Sequence, residues 1–527
     1  MKKFLFFLTF ILITSISVAQ STYNDVAKIF FKRCTSCHHD EGGAPFSLIN
    51  FTETASFATS IKSNVQIGKM PPLFTDTTYT RFLKERLLTA SEKAAIIKWV
   101  DDGALEGDPA LAPVAPVYTK YQIAAKPDII VKVPPFASNA DAADMYNCFA
   151  LKIPITTNRI IRAFEIVPNN AKIIHHVVVT IDTTGNAKDQ VDGQCYTQPG
   201  QLGIGGYTPG SGPTIFPNDP RLKMGITIKP GWQIIAQNHY PPGSAKQIDS
   251  TEIRLYLYPE GTTGVREVHE ATPLQNWLMP MMPGLVSTFT ADWAINNSSA
   301  YVKTTVKGAI SIYGTYPHAH KVNRSMRINA FKKGVKDSIP IIHVPNWDFN
   351  WEGVYHHQRL LKIPEGYTIH SKHVYDNTTN NKKNPNSPPK YVGAGPKSSD
   401  EMLFDSFEWM DYQVGDENID LEDILSHDPL LLSVNDKIGT NNIINSYAFP
   451  TPAVESTTIM VKNTLAEKCE LKLVDINGKI VKVNTTRNAD SFLIKRGDLP
   501  SGVYFYTLTS SNNYKGSGKI IFMPQAK

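Results

Sequence analysis

The chain has five cysteines in 527 residues, no block of lysine and arginine, and no apolar run of eighteen residues beyond its N-terminal segment. Each shortage excludes something. The Cys-rich spacings of structural zinc are missing, so a zinc-scaffolded fold is not expected. The 53 basic and 48 acidic residues leave a net charge of +5, spread without a cluster, which gives nucleic acid no electrostatic footprint. Without a long apolar stretch no transmembrane span is expected. No thiol lies close in sequence to the histidine pairs, and a blue-copper site needs a Cys thiolate, so a purely electron-transferring site of that type is disfavoured.

Residues 1–20 carry Lys2 and Lys3, then the apolar run from Phe4 to Ile16, then Ser17-Val18-Ala19, which reads as a cleavable secretory signal. An exported chain of this length is expected to hold three or four domains. Cys34-Thr35-Ser36-Cys37-His38 is a C-x-x-C-H motif: two thiols able to form thioethers with heme vinyl groups, and an imidazole placed to ligate iron. The alternatives for C-x-x-C alone are a redox pair or a disulfide. Met70, in Gly68-Lys69-Met70-Pro71-Pro72, is the candidate for the second axial position, against the plainer reading of a buried core residue. A helix is expected to start at Tyr23, and a second to run from the Thr89-Ala90-Ser91-Glu92 capping box through Ile96, Trp99 and Val100 to Gly103. Residues 21–108 resemble a small cytochrome c domain, which implies an all-α fold around one covalently bound heme c.

Residues 109–127 form a Pro/Ala linker, exemplified by Asp108-Pro109-Ala110-Leu111-Ala112-Pro113, expected to tether without fixing one orientation. Beyond it come short β-branched runs broken by Pro and Gly, such as Ile129-Ile130-Val131-Lys132-Val133, which favour antiparallel sandwiches. Four segments stand out there: His175-His176, Gln237-Asn238-His239, His318-Ala319-His320 and Asp400-Glu401-Met402. Five imidazoles and one thioether suit copper, because a thioether adds affinity mainly for a soft, low-valent ion. Singly, each has a commoner explanation. His318 and His320 could share a strand face, whereas adjacent His175 and His176 need a bulge or local twist to meet. Cys148 and Cys195 flank the first pair and are expected to form a disulfide in an exported protein.

In order and flanking residues, Ser398-Ser399-Asp400-Glu401-Met402 included, residues 128–415 resemble the copper type II ascorbate-dependent monooxygenases, the family of peptidylglycine alpha-hydroxylating and dopamine beta-monooxygenase. The resemblance implies two antiparallel β-sandwich or jelly-roll lobes, 128–270 and 271–415. It also implies two mononuclear copper sites: His175, His176 and His239 supplying electrons, and His318, His320 and Met402 handling dioxygen as the catalytic set. Two departures bear on substrate. An Arg of the peptide-hydroxylating relatives is replaced by Tyr316, and a Tyr by Ser406, so a glycine-extended peptide is not the expected substrate.

After a linker over 416–445, residues 446–527 contain the alternating run Leu471-Lys472-Leu473-Val474, the turn Asn477-Gly478 and the run Lys479-Ile480-Val481, a hairpin pattern. This part resembles the C-terminal sorting domain of type IX secretion substrates, implying a small β-sandwich that serves as an address; a plain Ig-like module is the alternative. The whole reading is a multidomain, mainly β protein, exported through the periplasm and secreted or held at the cell surface. It is expected to be a monooxygenase with two copper ions and one heme c, taking electrons from an external donor and hydroxylating a small-molecule or peptide-like substrate with dioxygen. His343, Asn346 through Trp351, His356, His357, His370 and His373 are candidate cleft residues. The rival readings are a heme and copper electron-transfer protein without oxygenation, and a surface-binding module that has lost its metals.

Overall fold

The computed structural model describes residues 20–431 except 41, 73–74, 86, 124, 194, 196–200, 296–305 and 307, and residues 445–524 except 463–468, 476–478, 489–490 and 511–514. The N-terminal apolar segment and the Asn477-Gly478 turn lie outside the described residues, as does the polar stretch from Asp436 up to residue 444. The chain divides into two compact units, Met1–Leu432 and Ser433–Lys527. It is mainly β, with several sheets and few helices.

The first unit opens with helices α1 (Tyr23–Arg33), α2 (Phe51–Ser56), α3 (Ala58–Gln66) and α4 (Ala90–Asp101). They close over Val26, Phe30, Ile96 and Trp99, all fully buried, with the Phe30 and Trp99 rings edge-on at 5.8 Å. The capping box expected for α4 is present: Thr89 Oγ1 accepts from the Glu92 amide (3.1 Å), and Glu92 accepts from the Thr89 amide (2.8 Å). Gly103, at φ +101, supplies the left-handed turn that ends it.

Two pairs of sheets follow. In the first, a seven-stranded sheet containing Ile129–Lys132, Arg159–Val167 and Glu252–Leu257 shares one apolar core with a four-stranded sheet ordered Met145–Lys152, Gln233–Tyr240, His176–Asp182, Gln201–Tyr207. In the second, the sheet His269–Asn276, Leu403–Asp411, Ile310–Tyr316, Tyr355–Ile363 packs on the sheet Val286–Ala294, Thr368–Asp376, Asn323–Phe331, Ile339–Val344. Strand pairing is antiparallel throughout except where Arg266–Glu267 runs parallel to Leu222–Ile228. The first core also takes in Tyr313, Leu360 and Met410 from the second pair, so apolar contact is continuous between them.

The helical segment is pinned, not loosely tethered as the Pro/Ala composition suggests. Phe82 is 2% exposed and belongs to the second core, its ring 5.4 Å from Tyr355. On either side of it the Asp76 amide donates to the His343 carbonyl (2.8 Å) and the Leu83 amide to the His356 carbonyl (2.7 Å). Burying an aromatic ring while satisfying the flanking backbone fixes the orientation that the linker leaves open.

The second unit has its own core, including Ile459, Leu473, Ile494, Tyr506, Leu508 and Ile520, between a four-stranded and a three-stranded sheet. The hairpin expected at 471–483 is present in its described residues: Val474 bridges Ile480 antiparallel, the Asp475 amide donates to the Lys479 carbonyl (3.0 Å) and the Val481 amide to the Leu473 carbonyl (2.9 Å). Along its length Cys469–Asp475 also pairs with Gly502–Ser510. There Leu471 and Leu473 face Leu508 and Tyr506, burying apolar side chains.

Candidate metal centre

His176 opens the strand His176–Asp182 and lies directly across from His239 on Gln233–Tyr240. His175 stands just outside the strand, after a one-turn 3-10 helix at Ala171–Ile173, with its amide bonded to the His239 carbonyl (2.9 Å). The meeting of the two neighbours is therefore achieved by a bend at the strand entrance, not by a bulge inside it. Nδ1 of His175 and His176 are 3.2 Å apart, and Nδ1 of His176 and His239 are 3.5 Å apart.

Imidazole–metal bonds of about 2.0–2.1 Å, at angles from about 90° to about 120°, put ligand nitrogens roughly 2.9–3.6 Å apart. Both of these Nδ1 separations fall in that range, and the ligand atoms of the three residues all lie within 4.8 Å of one another. This is also the only group of three or more His, Cys, Asp or Glu able to hold a metal among the described residues. Burial pushes the His175 imidazole down to about 4 and that of His176 well below its usual value, so both are neutral and ligand-ready near neutral pH. On its other side, His239 Nε2 is 2.9 Å from Asp144 Oδ1, and the Tyr146 ring stacks on it at 4.2 Å. A carboxylate on the far nitrogen fixes the tautomer and ring orientation of a ligating imidazole.

His318 and His320 do not share a strand face; they lie in a loop. Ile310–Tyr316 stops before Pro317, which has no N–H to continue a ladder. The following loop is held by two buried carboxylates: Asp405 accepts from the His318 amide (3.2 Å), and Glu401 accepts from the amides of His320 (2.9 Å), Asn323 (3.1 Å), Met402 (3.2 Å) and Val322. The two rings face each other edge-on at 5.2 Å. His320 Nδ1 is 3.1 Å from the Asp400 carbonyl, which leaves its Nε2 for a ligand, and burial pushes this imidazole down to about 3. Met402, 3% exposed, lines the same cavity of about 440 Å³ as His176, His318 and His320.

The candidate segment Asn346 to Trp351 ends one residue before a buried carboxylate. The next residue, Glu352, is 7% exposed, with Oε1 3.2 Å from His318 Nδ1 and Oε2 3.7 Å from His176 Nδ1. Burial disfavours charge on His318, yet this carboxylate lifts its imidazole above the usual value. Phe349, from the same segment, stacks on His175 at 4.9 Å and meets His320 edge-on at 5.5 Å. Trp351 and His356 also line the cavity. The other candidates are engaged elsewhere: His343 with Asp76, His357 with Thr315, His370 with Asp292 and His373 with Asp405. Across the cavity lie Glu270 and Glu408, the latter 2.9 Å from His356 Nε2.

In the helical segment Cys34, Cys37 and His38 follow α1 directly. His38 Nδ1 is 3.0 Å from the Phe46 carbonyl, so its Nε2 is the nitrogen left for a ligand. Met70 follows α3, half-buried, its amide bonded to the Asn64 carbonyl (3.2 Å). Cys148 and Cys195 form the expected disulfide, with Cα atoms 5.7 Å apart; Cys148 lies across from Gln237, two residues before His239.

Fold and site together define a mainly β protein of two compact units with a metal-ready trihistidine cluster. Its C-terminal residues 447–523 match the Secretion system C-terminal sorting domain family, so the chain carries the address for export to the cell surface or beyond by that machinery. No helix among the described residues is long and apolar enough to cross a membrane. No curated protein matches the chain. Among solved structures it is similar to the BSP domain of a biofilm associated protein (10% identity, 77% of this chain and 82% of that one, TM-score 0.16). Another is the CBM51-2 and INT domains of Clostridium perfringens ZmpB (14% identity, 52% and 86%, TM-score 0.11). Likenesses at these scores carry no argument about fold or function.

Proposed function

We propose that this exported chain is a copper-dependent monooxygenase that hydroxylates a C–H bond with dioxygen and receives electrons through a c-type heme on Cys34, Cys37, His38 and Met70. On this reading the helical segment is a cytochrome c domain and the two sheet pairs are the lobes of the copper monooxygenase family. The observation that carries it is the convergence of three Nδ1 atoms from His175, His176 and His239 beside a cavity shared with His318, His320 and Met402. Copper bound at these two sets supplies one-electron chemistry with dioxygen; overall, one dioxygen, two electrons and two protons convert R–H to R–OH and water.

The chain's own residues set the conditions. Asp144 and the Asp400 carbonyl hold His239 and His320 in ligating tautomers. Phe349 stands between the two sets, stacked on His175 and edge-on to His320. Tyr316, at the position where the peptide-hydroxylating relatives carry Arg, donates its hydroxyl to Glu352 (2.9 Å), so that position offers a carboxylate substrate no cation.

The test is oxygen uptake by the copper- and heme-loaded protein after reduction, with products assayed over a panel of neutral and basic substrates, in wild type and Met402→Ala. Rapid uptake coupled to product in wild type, cut at least tenfold in Met402→Ala with heme content unchanged, is the expected result. Reversible redox cycling without product would instead favour a heme and copper electron carrier.

A further inference from the structure

Glu352 sits in the turn between strands Ile339–Val344 and Tyr355–Ile363, buried, with neither Lys nor Arg as an ion-pair partner in the described contacts. Its Oε2 accepts from the Tyr316 hydroxyl. Its Oε1 and His318 Nδ1, 3.2 Å apart, are both buried yet lie off the direction of a proper hydrogen bond. A buried carboxylate facing imidazoles is costly unless a cation compensates it. The 3.7 Å from Oε2 to His176 Nδ1 is within a few tenths of an ångström of a ligand–ligand edge in a tetrahedral shell with bonds of about 2.0–2.2 Å. The three Nδ1 atoms leave such a shell one position short.

Building on the copper reading, we propose that Glu352 joins the two metal sets: Oε2 completes the trihistidine shell as a fourth ligand, while Oε1 orients His318 so that its Nε2 faces the second ion. The carboxylate is then a ligand to one ion and a positioning group for the other. A second tie runs parallel to it. Ser398, in the segment that ends at Met402, donates to Asp144 Oδ2, and Asp144 Oδ1 holds His239. Both links join residues of the two sheet pairs, so the occupancy of one set is communicated to the geometry of the other.

The experiment uses full-length protein titrated with copper, with affinity read by chelator competition, copper per chain by metal analysis and the cupric signal by EPR. Glu352→Gln keeps the shape but removes the charge. It is expected to weaken binding at the trihistidine set about 10–100-fold and to shift its EPR hyperfine splitting, while His239→Ala loses that copper. Tyr316→Phe removes the competing hydrogen bond from Oε2 and is expected to tighten the same site severalfold, a direction that a merely structural role would not give; it decides the matter if Glu352→Gln does not fold. Unchanged affinity and EPR in both variants, with copper still lost in His239→Ala, would overturn the bridge and leave the copper reading standing. Failure of wild type to bind copper would overturn both.

Discussion

Asp144 ties together parts of the chain that sequence spacing keeps apart. One oxygen meets His239 and the other the hydroxyl of Ser398, and those contacts, with the charge of nearby Lys321, hold its carboxyl well below the usual range against the opposing push of burial. Replacing it with asparagine should weaken copper binding at the trihistidine set about 10–100-fold while leaving the fold intact, as read by chelator competition and circular dichroism. Neither Asp144 nor Glu352 could be found in the sequence. The histidines announce themselves because their chemistry is rare and their order is distinctive, whereas a carboxylate that reaches them through the fold carries no spacing signal. Glu270 is a third such residue. It lies opposite Glu408 in the sheet and so close to Gly203 that a Cβ there would fall 0.9 Å from its Oε2. Burial and the Glu408 charge push its carboxyl up to about 8. The folded protein therefore retains a proton that the unfolded chain releases above the ordinary carboxylate range, so stability is full below that range and is lost as pH rises toward about 8. In Glu270→Gln the melting temperature should lose this decline, with the largest gain over wild type at and above that pH.

Among elements, those with a strong local pattern were legible and those set by tertiary contact were not. The Thr89 to Gly103 helix appears with its cap, stripe and stop, because each is written within one short segment. The β-branched run at Ile129 likewise becomes the strand Ile129–Lys132, with alternating buried and exposed residues. The loop carrying His318 and His320 follows Pro317, and its shape is imposed by Glu401 and Asp405, more than seventy residues later, which no local spacing announces. The bend at His175 is another tertiary product, fixed by its amide bond to His239. The Cys148–Cys195 disulfide anchors Met145–Lys152, the neighbour of the His239 strand, across a separation of 47 residues. Chain-entropy reasoning for a loop of that size gives about 4 kcal/mol as an upper value, and native disulfides commonly contribute about 2–4 kcal/mol. Replacing both cysteines with alanine should lower unfolding free energy in urea by about that amount. It should also weaken copper at the trihistidine set, because Cys148 pairs with Gln237 on the strand that carries His239.

For the whole molecule, the division into two compact units matters most. Each has its own apolar core: no residue of the C-terminal core, from Ala453 to Phe522, is drawn from the unit that holds the histidine sets. The histidine sets and the sorting match thus fall in different compact units. A chain ending at residue 432 should keep the copper-binding affinity and the unfolding midpoint of the first unit, because every contact that builds the two histidine sets lies before that point. It should also fail to reach the cell surface, since residues 447–523 carry the sorting match. The converse fusion, residues 433–527 behind a periplasmic reporter, should bring the reporter to the surface or into the medium without copper. Fractionation of cells expressing the truncated chain or the fusion, with copper measured in each purified product, checks both halves. A truncated chain that still reached the surface would mean that the first unit carries an address of its own. A truncated chain that was retained but could no longer bind copper would mean that the two cores are less independent than their packing indicates.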